Sequence, residues 1–358
     1  MTEQEKELFK QLCSFKGSQF DESLLKAATP TVLGHLFFNR MHTIAYYTLK
    51  KHKLLGKINR EFRNSLKNAY TQSREKNKDF LWCVEYLGNL LSKCDCSYAM
   101  LKGAYLCGAY PEGCRTSNDI DLLVHPSNVS EISHLLLNAG FEQGHIRDGE
   151  FSPATRKEII ESKMMRGETV PYIRKVHLPG MEFLEVDINF SLDYKPGETD
   201  LIEEMLSNTV VEDLGVCQVR TLNQDDFFIH LCAHLYKEAT TLPWIEMMRD
   251  MTLYKYCDIY MLLCDASEEK LNQLFRRAKD LGMEKVCAFA VYQMSKLFNF
   301  GNVVAISKAK SILDEDEMFI HTVVSPGEKK NYIFAEKNIS NRFFANSRES
   351  LLEEVSIG

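Results

Sequence analysis

Two aspartates with one residue between them, in the run Asp119-Ile120-Asp121-Leu122-Leu123-Val124, are the side chains of this sequence best placed to do chemistry. In a strand, successive side chains point to opposite faces. Asp119 and Asp121 then share one face, and Ile120, Leu122 and Val124 the other. Neighbouring carboxylates repel each other, and each costs free energy to desolvate. A divalent cation between them offsets both costs. Mg²⁺ takes hard oxygen ligands and is often held by one or two carboxylates together with substrate phosphates. The pattern predicts metal-assisted phosphoryl or nucleotidyl transfer. A half-exposed edge strand or a Ca²⁺-binding loop can carry the same spacing, so the reading depends on the elements around it.

Those elements come in a specific order. Residues 98–101 read as a short apolar strand running into Lys102-Gly103, where glycine permits a tight turn and close approach of backbone to a phosphate. Residues 103–110 read as a short helix, stopped by Pro111-Glu112-Gly113. Arg115-Thr116-Ser117-Asn118 then leads into the acidic strand. A third carboxylate is offered further on. Residues 172–178 and 181–190 flank Pro179-Gly180, which fit the central positions of a type II turn, so this stretch reads as a hairpin. Leu184, Val186, Ile188 and Phe190 form its buried face, with Glu185, Asp187 and Asn189 on the other. Asp187 is the preferred third ligand and Glu185 the alternative.

Leu101-Lys102-Gly103, Tyr110-Pro111, Arg115 and the run 119–124 together resemble the polymerase-β-like nucleotidyltransferase superfamily. Within it they look closest to a bacterial family of uncharacterised nucleotidyltransferases. Asp187-Ile188-Asn189-Phe190 matches the place where that family often has Asp-Leu-His-Trp. Leu222, Asp225, Leu231-Cys232, His234 and Lys237 resemble its helical Leu-Cys-x-His-x-x-Lys segment, and Leu253-Tyr254 with Asp258-Ile259 resemble a later helix. The likeness covers about residues 80 to 265. It implies an α+β fold, with a small mixed-sheet nucleotidyltransferase core flanked by N-terminal and C-terminal helical regions. It further implies that Asp119, Asp121 and Asp187 are catalytic and hold two Mg²⁺ ions, with Mn²⁺ as a substitute. Lys102, Gly103, Arg115, Lys237 and His234 would contact the nucleotide, ATP or another NTP. An acceptor hydroxyl on a small molecule, peptide or protein would receive the NMP group, with release of pyrophosphate. Two departures stand out. Ala104 replaces the serine that usually follows the glycine, and the gap from Gly103 to Asp119 is longer than in many members. Asn189 also stands where the family often has histidine.

The rest of the chain frames this core. Helical spacing is read over 3–12, 31–49 and 79–91, and again from 224 to about 297. The expected divisions are a helical region over 1–95, the α/β core over 96–220, and a helical region with a tail over 221–358. Asn128 and Glu131 fit a capping box, Gly140 a helix stop, and 156–165 a short helix. From Ser325 through 330 the periodicity lapses. Residues 50–78 are rich in Lys and Arg, but Ile58, Phe62, Leu66 and Ala69 recur at helical spacing. The basic residues then form a solvated outer face, and the aromatics of a base-stacking platform are missing. A net charge of −7 also gives no overall pull toward nucleic acid. His230 and His234 share a helix face but lack a third zinc ligand; His230 reads as a packing residue, and for His234 packing and nucleotide contact both stand. The scattered cysteines read as reduced, buried thiols, with Cys94-Asp95-Cys96 too tight for a zinc knuckle. No apolar run is long enough for a membrane span and the N-terminus is acidic, which predicts a cytoplasmic protein. Two competing readings are a scaffold of the same fold without turnover and an enzyme extending RNA ends.

Overall fold

The computed structural model describes residues 1–165, 167–192, 199–325 and 330–355. The chain divides into two compact units, one of Ala69–Phe227 and the other of Met1–Asn68 with Phe228–Gly358.

The unit of Ala69–Phe227 is built on a six-stranded mixed sheet. Its strands are β1 (Tyr98–Met100), β2 (Asp119–Val124), β3 (Glu142–Arg147), β4 (Glu150–Pro153), β5 (Tyr172–Leu178) and β6 (Met181–Asn189), in the order β1-β2-β6-β5-β3-β4. β2 and β6 run parallel and every other pairing is antiparallel. A two-stranded hairpin, β7 (Thr209–Asp213) and β8 (Gln218–Leu222), completes the unit, and Thr221 Oγ1 donates to the Met100 carbonyl at 2.7 Å. The apolar alternation explains the packing. Ile120, Leu122, Val124, Leu184, Val186 and Ile188 turn to one face of the sheet. There they join Phe80, Val84, Leu87 and Leu91 of the long helix Arg60–Leu91 in one buried cluster. The opposite face of β2 is buried from Asp121 onward, as suits a central strand.

The hairpin of β5 and β6 forms, but its turn differs from the type II geometry that Pro179-Gly180 suggests. Gly180 keeps an ordinary φ. The left-handed conformation falls on His177 (φ 52°), beside a register shift between Lys175 and Leu178. Glycine is needed at 180 for another reason. A Cβ there would lie 2.8 Å from Lys76 Cα, and the Gly180 N–H donates to Asp79 Oδ2 at 2.6 Å. The capping box also fails to form. Asn128 makes no side-chain cap, and Glu131 Oε1 instead lies 3.1 Å from Cys94 Sγ. Cys94 and Cys96 are joined in a disulfide, contrary to the reduced thiols expected, while the other cysteines stay outside any disulfide and are nearly all buried. Gly140 (φ 83°) ends the helix Val129–Asn138 as its position suggests, and the short helix Arg156–Met165 is present.

The other unit is mainly helical. The stretch 31–49 is two helices, Pro30–Phe38 and His42–Lys51, broken at Arg40 (φ 56°). Asn39 causes the break: its Nδ2 donates back to the His35 carbonyl at 3.0 Å, and its Oδ1 accepts from the Leu253 N–H at 3.2 Å. Helices Leu253–Leu263 and Glu284–Leu297 pack together, and the buried Tyr256 hydroxyl donates to Gln293 Oε1 between them at 2.9 Å. The tail adds a three-stranded antiparallel sheet, β9 (Thr322–Ser325), β10 (Lys330–Phe334) and β11 (Leu352–Val355), absent from the helical pattern of the sequence. The lapse in periodicity over 326–329 lies outside the described residues. Arg348, almost fully buried, ties the tail down through Asp250 Oδ1 at 2.7 Å and the Met248 carbonyl at 2.7 Å. No helix among the described residues is long and apolar enough to cross a membrane.

Candidate functional site

The parallel pairing of β2 and β6 sets Asp121 opposite Asp187 and Asp119 opposite Glu185. Even spacing along both strands therefore puts four carboxylates on one face. One oxygen each from Asp119, Asp121 and Asp187 lie within 4.8 Å of one another; Glu185 is outside that group. Asp121 is buried, and Asp119 and Asp187 are half-buried.

Charge is concentrated here beyond what solvent can relieve. Burial, then the negative charges of Asp121 and Asp119, hold the Asp187 carboxyl well above the usual carboxylate range. Burial also raises Asp121, against the pull of Lys102. Glu185 is pushed up to about 7 by burial and by Asp119 and Asp121. For Asp119, burial is outweighed by Lys102 and by the Ser117 hydroxyl, so this carboxyl sits below its ordinary value. Three carboxylates crowded around a single lysine suit a hard divalent cation, so the residues present fit Mg²⁺ or Mn²⁺.

Lys102 lies at the start of the helix Gly103–Ala109 with φ 44° and ψ −112°, a costly backbone for a non-glycine residue. That conformation accompanies an ammonium 2.6 Å from Asp121 Oδ1, with both side chains largely shielded. Burial disfavours the charged ammonium, but Asp121 outweighs it and the lysine pKa is raised. Gly103 is buried, and its φ lies outside the left-handed region. It is held against Ser117, whose Oγ donates to Asp119 Oδ1 at 2.7 Å. Arg115 donates to the Thr116 carbonyl at 2.6 Å, and its positive charge is felt at Asp119. Ala104 is fully buried. Asn189 Nδ2 reaches Asp121 Oδ1 at 3.4 Å.

The loop before β2 is fixed by the long helix. Tyr70 donates to the Glu112 carbonyl at 2.9 Å, Ser73 to the Gly113 carbonyl at 2.8 Å, and Arg74 pairs with Glu112 at 2.8 Å. Lys76 donates to Asn118. Part of the basic stretch thus holds the loop that carries Arg115 and Ser117.

The structure brings Lys102, Gly103, Arg115, Asp119, Asp121 and Asp187 together within one unit. His230, His234 and Lys237 belong to the other, on the helix Gln224–Ala239. His230 is buried there. His234 Nε2 lies 3.3 Å from Glu238 Oε1, and Glu238 also pairs with Lys255. Among the described residues, neither histidine joins a three-ligand cluster; the one other such group is Cys94, Cys96 and Glu131, whose two sulfurs are bonded to each other. Sequence reasoning placed Asn189 on the face of Asp187 but missed Ser117. Ser117 lies two residues before Asp119, so the same period of two that marked Asp119 and Asp121 could have found it.

No curated protein shows significant similarity to the chain. A family model described as "Uncharacterised nucleotidyltransferase" matches residues 30–299. The matched segment contains the strand order, the acidic cluster and the Lys102-Gly103 turn, and it spans well over half of the sequence: the chain belongs to this uncharacterised nucleotidyltransferase family.

Proposed function

We propose that this protein is a metal-dependent nucleotidyltransferase that moves an NMP group from an NTP to an acceptor hydroxyl. One observation carries the reading: carboxylates from two adjacent parallel strands converge within 4.8 Å in a largely buried setting. Asp119, Asp121 and Asp187 would hold Mg²⁺, which when bound neutralises phosphate charge and acidifies a hydroxyl. Lys102 and Arg115 steady the phosphate oxygens, Lys102 as a point charge and Arg115 as a planar fork. Asp187, the carboxylate that the neighbouring parallel strand sets opposite Asp121, takes the proton of the acceptor hydroxyl once the cation offsets the crowding of negative charge. The acceptor oxygen then bonds to the α-phosphorus. The bond from that phosphorus to the bridging oxygen breaks, and pyrophosphate leaves with the electron pair. For His234 and Lys237 a nucleotide-binding role rests on their match to the family's helical segment alone.

Thermal unfolding with Mg²⁺, with NTP, with both and with NTP in EDTA tests the reading. The combination should raise the midpoint well beyond the sum of the separate shifts, because the carboxylates and triphosphate complete one coordination set. Equal shifts with NTP in Mg²⁺ and in EDTA would contradict a metal–nucleotide site.

A further inference from the structure

We propose that Ser117 is the positioning residue for Asp119, and that residue 103 is glycine in order to admit it. This inference rests on the metal-site reading above. Asp119 is the half-buried member at the N-terminal end of β2, where a carboxylate can turn about its χ angles unless something holds it. Lys102 holds Asp121; Ser117 Oγ, donating to Oδ1 at 2.7 Å, holds Asp119.

Ser117 is itself fixed from two directions. On one side Tyr70, Ser73, Arg74 and Lys76 of the long helix pin the segment 112–118. On the other side is Gly103. A Cβ built there would lie 2.5 Å from Ser117 Cβ and 2.7 Å from Ser117 Oγ, closer than real side chains approach. Gly103 has no left-handed φ to explain its identity, so the explanation is this close approach. Ala104 is fully buried and carries no hydroxyl. The hydroxyl at this corner of the site therefore comes from the loop before the acidic strand. Groups that hydrogen-bond a ligating carboxylate commonly matter to metal affinity by about 10–100-fold.

The test is Mn²⁺ binding to the full chain without nucleotide, followed by the loss of the free-ion EPR signal, alongside thermal unfolding in EDTA. Ser117→Ala should weaken Mn²⁺ binding by about 10–100-fold while its unfolding midpoint falls only by the loss of one hydrogen bond to a half-buried carboxylate. Gly103→Ala should lose both affinity and midpoint, because its Cβ and the Ser117 side chain cannot coexist. The double variant Gly103→Ala/Ser117→Gly should recover the midpoint but not the Mn²⁺ affinity. Wild-type affinity in Ser117→Ala, with binding lost in Asp121→Asn, overturns the role of Ser117 and leaves the metal site standing. Recovery of Mn²⁺ affinity in the double variant likewise overturns it. Wild-type protein that binds no Mn²⁺ overturns both.

Discussion

At Asp121 three demands meet: burial, a facing carboxylate on the neighbouring strand, and a lysine ammonium 2.6 Å away. Removing one partner of a shielded ion pair leaves the other charge uncompensated, at a cost of up to about 3–5 kcal/mol. Lys102→Met should therefore lower the unfolding midpoint in EDTA at pH 8, where the carboxylates are most fully charged. It should also enlarge the rise on adding Mg²⁺, since the cation then supplies all the compensation. Unfolding curves of the two proteins with and without Mg²⁺ check this, and an unchanged Mg²⁺ response would place Lys102 outside the electrostatics of the triad. The alternation of Asp119 and Asp121, and of Glu185, Asp187 and Asn189, was legible because a strand's period of two needs no tertiary information. The sequence already favours Asp187 over Glu185 as the third ligand, but what pairs it with Asp121 is the register between β2 and β6, which no local pattern encodes.

Elements were legible where their cause is local, and missed where it is distant. Strands β1, β2, β5 and β6, the short helix after Gly103, and the stop at Gly140 follow from alternation, turn residues and a left-handed glycine. The break at Asn39 depends on the backbone of Leu253, and the capping box fails with Glu131 lying 3.1 Å from the disulfide sulfur of Cys94. Gly180 shows the same limit: as half of a Pro-Gly pair it suggested a turn type, but its cause is the backbone of Lys76. Two glycine substitutions separate these causes. Gly180→Ala should destabilise by about 1–3 kcal/mol, as overpacking does, because the obstacle is helix backbone that cannot move aside. Gly34→Ala lies inside the helix Pro30–Phe38 with nothing near the new methyl group, and should stabilise by about 0.4–1 kcal/mol. Chemical denaturation of both variants checks the pair. A neutral Gly180→Ala would mean that the hairpin does not sit tightly on the long helix.

On the scale of the whole molecule, the two units carry opposite acid–base liabilities. Crowded carboxylates strain the unit of Ala69–Phe227 at neutral pH, whereas a buried histidine strains the other in acid. Burial, and then the positive charges of Arg342 and Lys337, lower His321 from 6.5 to about 4. A histidine depressed in the fold contributes its full stability above its unfolded value and loses it as the pH falls toward the folded one. The loss should therefore run from about pH 6.5 down to about 4. His321→Gln cannot protonate, so its midpoint should fall less than that of the wild type between pH 7 and pH 5. Taking the difference between the two proteins cancels the carboxylates of the other unit. Parallel curves would show that His321 is not what makes the fold acid-sensitive. Nucleotidyl transfer differs from phosphoryl transfer in the bond that is broken. The most direct measurement incubates the protein and Mg²⁺ with lysate and NTP labelled at either the α- or the γ-phosphate, and follows the label into product for wild type and Asp121→Asn. The α-label should enter an acceptor, the γ-label should leave only in pyrophosphate, and Asp121→Asn, still folded, should transfer neither. Transfer of γ-label to the acceptor, or wild-type transfer by Asp121→Asn, would contradict nucleotidyl transfer at this site.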